Sequence, residues 1–412
     1  MTVRRLACVA LGAMLTTVVY AGAAAGQFRS GTSLVTVDVI VLDRDGRFVP
    51  GLRAGDLELF EDGRPQQIQQ FYMVTYDPGG SVVSEYAAQA DHQAQRVFIL
   101  LFDEGHLAND SLMRTKRGAE QFIREQLGPK DIGGVFVGGG MFRGLLTSDK
   151  EQLVAGIRAV TPAFDNRQAL LAAFRSFPRI PNEVDATRIA DGARELVDEL
   201  ARQACKEYPT ECNVEGGVGR VQNVIEQKAR FYVRQSRMLT GQTLQNLRTV
   251  TNGLARIPGR KTVVLISEGF YVEESRGVLQ QVAGEAARAG ATIYSIDGRG
   301  NINRMSSNPD VLTRDRARSL AFDTGDDGPN ILTAGTGGFM IQGIDDMSRA
   351  FGRIVRDTST YYVIGYQPDN ATLDGSFRKI EVKAKEGRYK IRARKGYAAV
   401  ALPPPQRLRG GG

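Results

Sequence analysis

Asp103 closes a run of six apolar residues, Val97 to Phe102, and Glu104, Gly105 and His106 follow it directly. Two later apolar runs end in a similar way. Thr262 to Ile266 leads into Ser267 and Glu268, and Ala291 to Ile296 leads into Asp297. Carboxylates gathered at strand ends can do one of two things. With a histidine they can exchange protons with a substrate during hydrolysis. With hydroxyls and water they can surround a hard divalent cation, which takes oxygen ligands. The hydrolytic reading lacks a nucleophile, because no Ser or Cys stands in an elbow motif. His106, in a loop beside apolar Leu107, reads as a surface histidine. Two further stretches resemble ligand loops without the required details. Val137 to Gly140 has neither the G-x-G-x-x-G nor the Walker pattern and reads as a strand-ending loop. Asp323 to Gly338 is rich in Asp and Gly but lacks EF-hand spacing and its final Glu, so it reads as a flexible loop.

A sheet is needed to position these carboxylates. An unbroken apolar run such as Val97 to Phe102 suits a strand covered on both faces. Strand character recurs at Asp131–Gly138, Thr262–Ile266, Ala291–Ile296 and Gly338–Gln342. Helical spacing covers Leu112–Gln126, Lys150–Val160, Arg276–Ala289 and Asp345–Arg356. This alternation predicts an α/β fold with a doubly wound, mostly parallel sheet over residues 96–358. Such sheets bind ligands at the carboxyl ends of their strands. Phe142–Thr147 reads as an antiparallel edge partner. A helical, charge-mixed insertion at about 161–257 interrupts the order and is expected above the same edge, with Asp297-Gly298-Arg299-Gly300 bordering it. β-character occupies both ends, at 28–75 and 359–399. Neither group makes a full core alone, so the two are expected to pair as a β-sandwich around the α/β domain. Residues 76–95 read as a linker and 400–412 as a disordered tail.

Residues 1–26 carry Arg4 and Arg5, an apolar run from Leu6 to Tyr20, and small residues at Ala23 to Ala25. This is the pattern of a secretory signal peptide, too short in its apolar part to anchor a chain. No other segment is apolar enough to span a bilayer, so the mature chain is expected in the periplasm or outside the cell. Cys8 leaves with the signal. Cys205 and Cys212 are then expected to form one local disulfide, a zinc site being a poor alternative with only His92 and His106 to complete it. Composition is that of a globular protein, with 42% hydrophobic and 24% charged residues among 412. The formal charge of +7 becomes +5 (7 − 2) without Arg4 and Arg5. Lys and Arg crowd the strand-like stretch Arg378 to Arg394, which reads as a solvated sheet face. An exported chain without interleaved exposed aromatics is not expected to bind nucleic acid.

Five collinear stretches carry a family resemblance. They are VDVIVLDRDGRFVPGL with LELFEDGRPQQI, FILLFDEG, LARIPGRKTVVLISEGF, ATIYSIDGRG, and STYYVIGYQP with GSFRKIEVKAK and IRARKGY. In them the chain resembles the von Willebrand factor A-type (VWA) domain family, and more narrowly its exported bacterial, acidobacterial VWFA-related branch. The resemblance covers nearly the whole mature chain. It implies a divalent metal, usually magnesium, at the carboxyl edge of the sheet. The family holds that ion through Asp-x-Ser-x-Ser after the first strand, a Thr from a middle loop and an Asp after the fourth strand. The metal then takes a carboxylate from a partner protein.

On this chain the first position is Asp103, while Gly105 and Leu107 stand at the two serine positions. Glu268, preceded by Ser267, stands where the later Asp belongs, and Thr187 is the candidate for the middle Thr. Neither Gly nor Leu offers a side-chain oxygen. Asp103 and Glu268, with Glu104 or Asp110 assisting, are what remains for magnesium or calcium. The resemblance therefore implies a non-catalytic protein–protein interaction or adhesion module with a degenerate metal-ion-dependent adhesion site. Its rim would be Asp103, Glu104, Gly105, His106, Glu268 and Asp297, facing an unidentified protein partner. A metal-dependent VWA adhesin, a carboxylate-based hydrolase and a structural scaffold stay open as alternatives. The residues name neither the partner nor the oligomeric state.

Overall fold

Strands from the two ends of the chain frame an alternating α/β layer. A computed structural model of the chain describes residues 34–83, 95–163, 169–170, 172, 174, 176–257, 259–270, 276–300, 328–386 and 389–403. The signal segment, His92, Asp323 to Asp327 and the last part of the tail lie outside these residues. In chain order, β1 (Val35–Leu42), β2 (Leu57–Glu61), β3 (Arg64–Gln66) and β4 (Gln70–Thr75) come first. The alternating part then opens with β5 (Val97–Phe102), α1 (Asn109–Glu125), β6 (Ile132–Val137), β7 (Gly140–Met141) and α2 (Lys150–Ala159). A helical stretch follows: α3 (Glu183–Ala190), α4 (Arg194–Glu207), α5 (Pro209–Cys212) and the long α6 (Gly217–Leu254). Alternation resumes with β8 (Lys261–Ser267), α7 (Arg276–Arg288), β9 (Ala291–Asp297), α8 (Gly328–Thr336), β10 (Met340–Ile341) and α9 (Met347–Ser359). The last strands are β11 (Thr360–Tyr366), β12 (Phe377–Ala384), β13 (Lys390–Ala393) and β14 (Gly396–Ala398).

The central sheet has the order β10-β9-β8-β5-β6-β7. All of its pairings are parallel except β6 with β7, where the chain turns back at the edge. Every residue of β5, β8 and β9 is buried, as an apolar run without alternation requires. Phe98, Leu100 and Phe102 pack under α1, α2 and α9, against Phe122, Ile157 and Phe351. Val97, Ile99 and Leu101 face the other way, onto Leu247 and Leu254 of α6, Leu279 of α7 and Leu332 of α8. Helices thus cover both faces. Each large apolar side chain buried in this way contributes about 1.5–3 kcal/mol.

The outer strands form two antiparallel sheets, β13-β1-β11-β4 and β14-β12-β2-β3. In β1 the alternation VTVDVIVL sends Val35, Val37, Val39 and Val41 into the space between them. There they meet Leu57, Leu59, Tyr362, Ile364, Tyr366 and Ile380. β11 lies between β1 and β4, so strands from opposite ends of the chain complete one core. The helical stretch has a core of its own, including Leu200, Ile225 and Tyr232, and the Cys205–Cys212 disulfide joins α4 to α5 with a Cα–Cα distance of 5.6 Å.

Three expectations need correction. The helical insertion does not run uniformly to residue 257. The first half of α6 packs in the insertion core, whereas Leu244, Leu247, Val250 and Leu254 cover the central sheet. The linker reading fails at its start, where Tyr76 bridges Val82 and an Asp77–Ser81 turn packs Gly80 against Asp131. The loop reading of Asp323 to Gly338 fails from Gly328, where α8 begins and buries Leu332.

Glycines in two helices give opposite expectations. A Cβ on Gly118 of α1 would lie 2.2 Å from Met347 Cβ and 3.2 Å from its backbone, where α9 crosses. Gly241 is exposed in α6 with open space around its Cα. Gly118→Ala should therefore lower unfolding stability by about 1–3 kcal/mol, because overpacking outweighs the helix-propensity gain of up to about 1 kcal/mol. Gly241→Ala should raise it by about 0.5–1 kcal/mol, and urea denaturation reads both signs.

Candidate functional site

The carboxyl ends of β5, β8 and β9 stand side by side, since the three strands are neighbours in register. Asp103 leaves β5 with its N–H donated to Ile266 O of β8 (2.9 Å). The chain then turns, with His106 N–H donating to Asp103 O (2.9 Å) and Glu268 N–H to His106 O (3.0 Å). Backbone bonds thus tie the Asp103 loop to the Glu268 loop before any side chain takes part.

Asp103 is only 4% exposed. Its Oδ1 accepts from Thr243 Oγ1 at 2.7 Å, and its Oδ2 from Ser267 Oγ at 2.8 Å. His106 Nδ1 lies 3.0 Å from Oδ2, so a proton on that nitrogen is donated to the carboxylate. The same nitrogen is 3.3 Å from Thr243 Oγ1, which closes the cluster. His106, Thr243 and Ser267 are all buried, and Phe270 packs on the imidazole at a ring-centroid distance of 5.3 Å. A buried carboxylate holds its charge only with donors of this kind around it.

The surface-histidine reading of His106 is therefore overturned, because tertiary packing by Phe270 and α6 closes over a position that looks like open loop locally. Thr187 does not reach the site. Its hydroxyl donates to Glu183 O within α3, and Thr243 of α6 is the threonine that meets Asp103. Thr243 is the residue that sequence reasoning missed. Its signal was its place in the stripe Thr243, Leu247, Val250, Leu254, whose helical spacing marks the sheet-facing side of α6.

The other rim residues turn to different partners. Glu268 is half-buried and its Oε1 accepts from Ala108 N–H (3.0 Å), just before α1 begins. Asp297 is held by Arg299, whose Nε and Nη2 donate to its two oxygens at 2.9 and 2.8 Å. Arg114 of α1 fastens the same turn by donating to Gly298 O at 2.7 Å. Glu104 is half-buried, and burial with the neighbouring Asp103 charge pushes its carboxyl above the usual range against a backbone bond from Gly138. Gly105 lies under Leu239, so a Cβ there would come within 2.9 Å of Leu239 Cδ2. Leu107 is fully buried in the core beneath α1.

These residues do not fit the ligand set that the VWA resemblance implies. Both Asp103 oxygens are hydrogen-bonded to protein, the two serine positions carry no side-chain oxygen, and Glu268 and Asp297 are committed to Ala108 and Arg299. Among the described residues, no group of three His, Cys, Asp or Glu side chains is placed to hold a metal. The order of contacts also differs from a nucleophile–base–acid relay. Here the carboxylate occupies the centre, and both hydroxyls point at it.

No family model matches this chain, and no curated protein matches it. Two solved structures share 14% identity with it at a TM-score of 0.27. One is an aerotolerance-related membrane protein from Bacteroides fragilis NCTC 9343 with multiple mutations to serines, matched over 63% of this chain and 96% of that one. The other is the conserved hypothetical protein BatB from Bacteroides thetaiotaomicron, matched over 64% and 97%. Neither is similar enough to assign this chain a fold or a function.

Proposed function

We propose that this chain is an exported, non-catalytic protein–protein interaction module of the VWA type. Its metal-ion-dependent adhesion site is degenerate, and the surrounding rim meets an unidentified protein partner. The observation that carries this reading is the engagement of Asp103 by His106, Thr243 and Ser267. An incoming cation would have to displace these donors and would gain no side-chain oxygen from Gly105 or Leu107. The half-buried Glu104, Gly105 and Glu268 then remain as rim beside α6 and the helical insertion. Export rests on the pattern of residues 1–26 and on the Cys205–Cys212 disulfide, which persists in oxidising compartments. No helix among the described residues is long and apolar enough to cross a membrane.

Three measurements test the reading. Thermal melts in EDTA and then in millimolar magnesium, calcium or manganese should coincide. An ion at a hundredfold excess over its dissociation constant would add about 2.7 kcal/mol, so a shift that disappears in Asp103→Ala would restore the metal-dependent adhesin. Thr243→Val keeps the shape and removes one donor from a buried carboxylate. It should cost about 1–3 kcal/mol in urea denaturation, whereas Thr240→Val, which removes a buried hydroxyl without a hydrogen-bond partner, should be neutral or stabilising. Pooled esterase, protease and glycosidase substrates should show no turnover above buffer. Turnover that vanishes in Glu268→Gln would favour the hydrolase instead.

A further inference from the structure

Unpartnered polar atoms gather at the end of the central sheet opposite Asp103. Among the described residues, seven buried side-chain nitrogen or oxygen atoms have no hydrogen-bond partner. Four of them are arginine nitrogens around one cleft: Nε and Nη1 of Arg260, Nε of Arg392 and Nε of Arg394. The cleft, of about 140 Å³, lies between the outward face of the β13-β1-β11-β4 sheet and the beginnings of β8 and β9. This site is independent of the rim reading.

The side chain of Arg260 is 6% exposed and stands over the Tyr361 ring, with Cζ 4.6 Å from the centroid. Its Nη2 donates to Tyr294 Oη (2.8 Å), while its Nε lies 3.5 Å from Asp38 Oδ2 without forming a hydrogen bond. Arg392 is paired with Asp357, and Arg394 donates to the Ala287 carbonyl. Asp38 is the acidic residue lining the cleft, so three guanidinium groups there share two carboxylates when Asp357 is counted. Guanidinium groups removed from water with donors unused carry an uncompensated desolvation cost. Burial also pushes the Lys261 ammonium, beside the cleft at Gly290, down to about 8, and holds Arg394 below its ordinary value.

We propose that this cleft binds a small oxyanion, a carboxylate or phosphate group, whose oxygens accept from Arg260, Arg392 and Arg394. Arginine forks suit planar carboxylates and phosphates, and donation to a charged acceptor is the stronger kind of hydrogen bond. Ile40, Val74, Val363 and the rings of Tyr72 and Tyr76 supply an apolar wall for a stem attached to the anion.

The test is calorimetry and thermal melting of the full chain in low-chloride buffer, with inorganic phosphate in one arm and succinate in the other. A saturable, one-to-one signal in either arm is expected, and the arm that binds more tightly names the source. Arg394→Gln and Arg260→Gln, checked for folding by circular dichroism, should each weaken it by about tenfold or more, equivalent to about 1.4 kcal/mol. Arg158→Gln, on the exposed surface of α2, should leave it unchanged. Phenylglyoxal labelling of the unmutated chain gives a reading that does not depend on variants, and the bound anion should protect Arg260 and Arg394. The proposal is overturned by no saturable signal with either anion at millimolar concentration. Stabilisation of equal size in wild type and both variants overturns it too, being the general effect of excluded salts. So does labelling of the two arginines that the anion leaves unaltered.

Discussion

A carboxylate left with 4% of its surface exposed has lost its hydration and must recover that free energy from protein donors. Asp103 does so with contributions from three separate parts of the chain. His106 comes from its own loop, Ser267 from the end of β8, and Thr243 from a helix 140 residues away in sequence. Each donor fixes the element that carries it. The carboxyl edge of the sheet is therefore held by side-chain bonds to one charge as well as by its ladders, and the loop that bears Gly105 is closed beneath Leu239 of α6.

The long α6 joins two packing problems. Its first half satisfies the apolar faces of α3 and α4, and its second half covers β5 and β8. The turn between these halves carries Leu239 and Thr243, so the position where the helix passes from one core to the other is also where it touches the Asp103 loop. A threonine, a serine and an imidazole meet the Asp103 carboxylate where the strands end. A bound cation presents an open coordination position to an incoming carboxylate. The arrangement around Asp103 presents no such position, because both of its carboxylate oxygens already accept from protein donors.

The sheet was legible because β5, β8 and β9 lie fully buried, and total burial imposes an apolar run that needs no partner to be recognised. β1 was equally legible for the opposite reason, since one face meets the sandwich core and alternation follows. The site was only half legible. Asp103, Ser267 and Glu268 follow directly from strand ends, but the burial of His106 is produced by Phe270 and α6, which local spacing does not register. Thr243 is hidden because one helix serves two cores and its charge-mixed helical pattern runs past this position without a break. What distinguished it was a hydroxyl standing in a stripe that is otherwise apolar.

The two ends of the parallel sheet handle charge in contrasting ways. At the carboxyl end, the acidic residues are matched: Asp103 by three donors, Asp297 by Arg299, Glu268 by a backbone amide. At the amino end, Arg260, Arg392 and Arg394 crowd a cleft whose nearby carboxylates are fewer than its cations. Arg392 of β13 and Arg394 just after it look like part of a solvated basic stripe in the sequence, but they turn toward Asp357 and Ala287 at the base of the α/β layer. Joining the antiparallel sheet to the α/β layer through guanidinium groups gives the contact directional hydrogen bonds in addition to apolar burial. It also leaves donors that the protein does not use. Native proteins leave few buried polar groups unsatisfied, and four in one cleft form a concentration that packing alone does not require.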